Sequence, residues 1–333
     1  MRFLTEESVD KIAVGAAVLG TGGGGDPYVG KLVAKQAIKK YGPVKVISLD
    51  ELDDDALVVP VSGMGSPVIT IEKLLSEVEL TTPLEIMEKL LNRKVDVIIP
   101  IEIGGINSLM PIAVAAKKGL PILDADSMGR AFPEAQMVTF YLEGYEASRT
   151  LTVEMGGSSS ISDYNLSGAQ VKKAAIGNTL TIAETIGGFL LENKSDSKGA
   201  VENILKELRG YKLFEGKVID IKRELKGGFT RGHAFFAGIN EYDGEYSILF
   251  QNENLIAKKG DTPLCITPDL IAVLDLETGF PITTERIKYG SRVMVVAFPC
   301  NEKWRTEKGI ETVGPGYFGY DVEYKTVEEL QGK

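Results

Sequence analysis

The chain carries one histidine, His233, in 333 residues. Zinc proteases and binuclear metal amidohydrolases draw several ligands from histidine, so their centres are excluded. A Ser-His-Asp triad could use only His233. Any metal site would rest on Asp, Glu, Asn and carbonyl oxygens, a set suited to magnesium, calcium or manganese rather than zinc. Cysteine is as scarce. Cys265 and Cys300 rule out a disulfide framework and, beside prolines and apolar strands, read as packing residues. Basic charge is in deficit: 37 Lys and Arg against 47 Asp and Glu give a net charge of −10. That argues against a nucleic-acid footprint, which needs a basic face. No run approaches the roughly 18 apolar residues of a membrane span. The first seven residues turn acidic at once and lack a secretory pattern, so a cytoplasmic location is expected.

Glycine is what the chain has in quantity, and its densest stretch is Gly20-Thr21-Gly22-Gly23-Gly24-Gly25-Asp26-Pro27. Such a backbone tolerates positive φ and lets N–H groups approach a ligand closely. Ordering it is costly, which favours a loop set against something small; a flexible turn after a helix is the plainer reading. Gly20, Gly22 and Gly25 also match G-x-G-x-x-G, with Asp50 at a suitable distance. A dinucleotide fold requires a strand before the first glycine, however. Thr5, Glu6 and Glu7 followed by the spacing of Val9, Ile12, Ala13, Ala16 and Ala17 predict a capped helix there.

The first half alternates. Helices are expected over 28–40, 83–91, 106–118 and 133–142, and apolar strands over 44–49, 56–61, 95–101 and 120–123. Strands apolar on both faces between helices predict a mainly parallel, covered sheet. Beyond about residue 165 the pattern changes. Helices over 169–191 and 199–208 lead to short strands over 217–223, 232–240, 246–251, 254–258, 270–275 and 292–299, separated by turn signals. The expectation is an α/β N-terminal domain with a mainly parallel sheet over 1–168. A helical connector and a β-rich domain follow over 169–333, with the site in the crevice between them.

Ligands of open α/β sheets bind at the carboxyl ends of the strands. Three polar clusters fall there: 62–66, 102–107 and 124–130. Asp26, Glu102, Asn107, Asp124, Asp126 and Arg130 are therefore expected to line one pocket, able to orient a water or bind a hard cation. The competing reading makes the carboxylates helix caps. His233 opens a β-strand and is either functional or an ordinary half-buried histidine. Gln251-Asn252-Glu253-Asn254 is a turn or a polar contribution to a site. Trp304 and the glycine-aromatic run 314–319 suit packing or an interface, and a homo-oligomer, most simply a dimer, is expected.

The blocks 20–27, 102–108, 124–134, 251–255, 268–271 and 314–320, in this order, resemble the S-methyl thiohydantoin desulfurase family, also called DUF917. The resemblance runs from about residue 8 to 325. It implies an α/β N-terminal and a β-rich C-terminal domain. It also implies hydrolysis of a C–S bond on a five-membered, urea-like ring in some members. Family members accompany hydantoinase and oxoprolinase proteins, so a partner of that type is implied as well.

On that footing Glu102, Asp124 or Asp126 would activate water and His233 would act as acid. Gly22, Gly23, Gly24 and Gly25, with Asp26, Asn107, Arg130, Asn252 and Glu253, would hold the small-molecule substrate. The scheme requires no cofactor and is compatible with a divalent metal. The alternative is a non-catalytic ligand-binding or partner subunit of a hydantoinase or oxoprolinase system.

Overall fold

A computed structural model of the chain describes residues 2–64, 77–145, 151–155, 158–162 and 165–332. It divides into two units. The first comprises Met1–Ala16, Gly25–Gly129 and Val138–Thr185; the second comprises Ala17–Gly24, Arg130–Met137 and Ile186–Lys333.

The first unit is α/β. Strands β1 (Arg2–Leu4), β2 (Val44–Ile47), β3 (Leu57–Met64), β4 (Val97–Pro100) and β5 (Ile122–Leu123) lie in the order β1-β2-β5-β4-β3. From β2 to β3 every pairing is parallel, while β1 joins antiparallel. Val58, Val59, Ile98, Ile99, Ile122 and Leu123 are buried. Their apolar character on both faces follows from helices packed above and below the sheet. The helices of this unit include α1 (Glu6–Leu19), α2 (Pro27–Tyr41), α3 (Glu77–Leu91) and α4 (Met110–Lys118), of which α4 packs on β2, β3, β4 and β5 and α2 packs on α4. Gly119 closes α4 in the left-handed conformation, donating to Ala115 and Ala116 carbonyls. Short β6 (Ala125–Asp126) leaves the sheet. Strands β7 (Leu151–Met155) and β8 (Ser158–Ser162) extend it antiparallel beyond β3, and β9 (Leu166–Ser167) pairs with β3.

Two expected helices are altered. Only Thr139–Leu142 (α5) of the 133–142 segment is helical, because Val138 is extended and the residues before it bend. The segment over 169–191 is broken in two, α6 (Gly168–Ala174) and α7 (Thr179–Glu192). Between them Ala175 turns extended, β10 (Ile176–Gly177) pairs with β6, and Asn178 takes a φ of 63°.

The second unit is a seven-stranded antiparallel sheet fed by α8 (Ser197–Glu207). Its strands are β11 (Tyr211–Lys226), β12 (Phe229–Gly238), β13 (Glu245–Gln251), β14 (Glu253–Lys259), β15 (Thr262–Ile266), β16 (Leu270–Asp275) and β17 (Arg292–Phe298). The order is β15-β14-β13-β12-β11-β17-β16, and β16 comes back against β14 and β15, so the sheet curls into a half-barrel. Phe214, Phe236, Phe250, Ile248, Val273 and Val295 fill its interior. Among the described residues no helix is long and apolar enough to cross a membrane.

Candidate functional site

In the second unit the glycine loop meets the start of β14. The chain leaves α1 with Thr21 at φ 51°, Gly22 at 89° and Gly24 at 72°. The Asn254 N–H donates to the Thr21 carbonyl (2.7 Å), the Thr284 N–H donates to the Gly22 carbonyl (2.8 Å), and the Gly24 N–H donates to Glu253 Oε1 (3.2 Å). A Cβ on Gly23 would sit 2.0 Å from Glu253 Oε1, and one on Gly22 would sit 2.8 Å from Asn254 Nδ2. These two glycines are thus required by the approach of the protein's own polar block.

Arg130 completes the cluster and is fully buried. Its guanidinium donates to the carbonyls of Ala131, Pro268 and Asp269 at 2.8–3.0 Å and to Thr21 Oγ1 at 2.8 Å. It also lies 4.5 Å from the Phe132 ring centroid. Arg130 therefore holds backbone carbonyls in place. Asp269, whose carbonyl it binds, is itself a fully buried carboxylate accepting from Cys300 N, Arg305 Nη2, Tyr324 Oη and Val327 N.

Glu253 is 2% exposed. Burial pushes its carboxyl up to about 8, against the opposing pull of Arg130 and the Gly24 N–H. Burial also lowers Arg130, to about 10, so it stays charged. At pH 7 Glu253 is consequently a neutral acid beside a cation. Its Oε2, like Asn254 Oδ1, is buried without a hydrogen-bond partner among the described residues. A buried polar atom left so is costly and marks a place where a ligand could supply the missing partner.

In the first unit Asn107 bridges two groups: its Nδ2 donates to Glu102 Oε1 (2.7 Å) and its Oδ1 accepts from the Gly63 N–H (2.7 Å). Asp126 accepts N–H groups from Ile103 (2.7 Å) and Gly129 (2.9 Å). Its burial still pushes the carboxyl up to about 7. Asp124 is held by Arg2 Nη1 (3.0 Å), the Thr181 N–H (3.0 Å) and the Thr181 hydroxyl. Asp26 caps α2, accepting from the Tyr28 N–H at 2.9 Å, with Pro27 in the first turn. Gly25 follows the loop at φ 76°. Of the 62–66 cluster, Ser62 is buried on β3, and positions 65 and 66 lie outside the described residues.

The remaining expected residues sit in the second unit. His233 pairs with Leu249 and Lys222 across the sheet, its ring 3.9 Å from that of Phe235. Partial burial, with Lys258 and Lys222 nearby, holds its pKa below the ordinary value. The imidazole is thus neutral at pH 7. Asn252 is the left-handed residue between β13 and β14, its Oδ1 accepting from the Thr230 N–H (2.9 Å). Cys265 and Cys300 are buried and free, their thiols held above the ordinary value by desolvation. Trp304 packs edge-on against Phe132 at 5.0 Å. Among the described residues no three His, Cys, Asp or Glu side chains are placed to hold a metal ion. Thr21, Asn254 and Asp269 are not among the expected site residues, though each lies in a stretch that the sequence singles out: the glycine run, the polar block and the 268–271 block. Thr284 carries no signal, since its role lies in reaching the Gly22 carbonyl.

The chain thus combines an α/β unit with a unit built on an antiparallel half-barrel, and within the second unit a buried acid and guanidinium are set against the glycine loop. The chain belongs to the S-Me-THD-like family: the family's N-terminal domain matches residues 7–164 and its C-terminal domain residues 143–327. The fold is shared with a crystal structure of a protein from Chromobacterium violaceum, 20% identical, with a TM-score of 0.77 over 98% of this chain and 100% of that one. No curated protein matches the chain.

Proposed function

We propose that the protein is a hydrolase of a small hydantoin-like ring, and that replacing S-methyl by water on an S-methyl thiohydantoin is its reaction. The observation that carries this reading is Glu253, a buried carboxyl that keeps its proton at neutral pH and has one oxygen unpaired. Such a group can donate a proton where an ionised carboxylate cannot.

Glu253 gives its proton to the ring nitrogen as a water oxygen bonds to the carbon bearing sulfur. The resulting carboxylate, beside the Arg130 charge, takes a proton from the added water. The C–S bond then breaks, the hydroxyl proton passes to the departing sulfur, and methanethiol and a ring carbonyl remain. Backbone N–H groups of the glycine loop are suited to steadying an oxygen as it gains charge.

A second reading, a ligand-binding subunit working beside a hydantoinase- or oxoprolinase-type partner, has one observation in its favour. Asp124 is engaged by Arg2 and Thr181, which takes one carboxylate away from water activation, and Asp26 is engaged by a helix start.

The test is thiol release from a panel of S-methyl thiohydantoins, with plain hydantoins as controls. Turnover by the wild type and a loss of roughly 10²–10⁴-fold in Glu253→Gln support the acid role. If Glu102→Gln loses turnover and Glu253→Gln keeps it, the chemistry belongs to the first unit. Binding without thiol release favours the second reading.

A further inference from the structure

Strand β11 is longer than its neighbour on one side. Its pairing with β12 runs on to Lys226, whereas its pairing with β17 ends at Lys217 opposite Arg292. Among the described residues no strand pairs with the other edge of 219–226. Alternate N–H and C=O groups of an antiparallel strand turn to each side, so this edge offers a row of backbone groups to another strand. Gly227 and Gly228, at φ 62° and 85°, close the hairpin tip. Ile219 is 39% exposed and Leu225 78% exposed along this edge. Tyr289, 77% exposed, precedes Gly290, whose N–H bonds Val218 at the edge's start.

We infer that this edge pairs with the same edge of a second copy of the chain, antiparallel, with Arg223 opposite its own copy. Charge order selects the register. Centring the two-fold on Arg223 sets Lys222 opposite Glu224 twice and Ile221 opposite Leu225 twice. Centring it on Lys222 sets Asp220 against Glu224. Centring it between the two sets Lys222 against Arg223 and Ile221 against Glu224. Centring it on Ile221 joins Asp220 to Lys222 but sets Glu224 and Leu225 against Val218 and Lys217, whose edge is already taken by Gly290, Ser291 and Arg292. Along the free edge only the first register joins opposite charges and apolar partners, and directly opposed pairs are what stabilise a sheet. The one like pair, Arg223 with its copy, is relieved because each guanidinium turns to its own chain's Thr284 and Ile287 carbonyls. Edge charges ordinarily keep strands apart; in this order they prescribe one partner and one register.

The test is molar mass by light scattering across micromolar concentrations for the wild type, Glu224→Lys, and the double exchange Lys222→Glu with Glu224→Lys. Both side chains are exposed, and thermal melts confirm that each variant is folded. The expected result is a dimeric wild type, self-association weakened by about tenfold or more in Glu224→Lys, and the dimer restored in the double exchange. A monomeric wild type, a dimer indifferent to Glu224→Lys, or a double exchange that stays monomeric would each overturn the inference.

Discussion

Glu253 and Arg130 show how burial alone changes what a side chain can do. In water the carboxyl would be ionised at pH 7; in the cluster it keeps its proton to about 8. Arg130 spends its donors on the carbonyls of Ala131, Pro268 and Asp269 and on Thr21, so it fixes the loop and the turn before β16 at once. The packing around Glu253 leaves no room at Gly23. Gly23→Ala should force Glu253 Oε1 aside and cost about 1–3 kcal/mol, as overpacking does. Gly316→Ala, with nothing within 4 Å of its added Cβ, should be close to neutral. Urea melts of the two variants make the comparison.

At the scale of elements, the central strands of the first unit were legible because β3, β4 and β5 are apolar on both faces and β2 departs from this only at the exposed Lys45, the pattern of a covered parallel sheet. The helix break at Ala175 was not: an apolar run reads the same whether it continues or pauses to let Ile176 pair with Asp126. Nor were the three residues of β1, too short to show alternation. The site was half legible. The glycine loop and the polar block on β13–β14 stood out singly, but the Gly24–Glu253 bond joins residues 229 positions apart, and no local pattern encodes such a pairing. The residue type of His233 was legible, but the partial burial and neighbouring lysines that lower its pKa were not, because they come from strands paired across the sheet. Asp26 is where the plainer reading prevailed. Asp26→Ala should lower stability by about 1 kcal/mol through loss of the α2 cap, and Asp26→Ser should recover most of it.

Across the whole molecule, Glu253 couples stability to pH. Its folded pKa lies above the unfolded one, so its stabilising contribution is complete below about 4.5. That contribution shrinks as pH rises and is gone above about 8. At roughly 1.4 kcal/mol per unit, the loss between pH 5 and 8 reaches a few kcal/mol. Glu253→Gln cannot ionise and escapes it. Denaturation at several pH values should therefore show the stability difference moving steadily in the variant's favour from pH 5 to 8. A difference that is flat with pH would mean that Glu253 ionises normally.

The proton on Glu253 is the centre of the functional account, and the pH dependence of thiol release tests it most directly. Measured as kcat/KM on an S-methyl thiohydantoin, wild-type turnover should fall on an alkaline limb with a midpoint near 8, where Glu253 gives up its proton. The residual activity of Glu253→Gln should lack that limb. A wild type that holds its rate through pH 9, or a limb that survives in Glu253→Gln, would contradict the account.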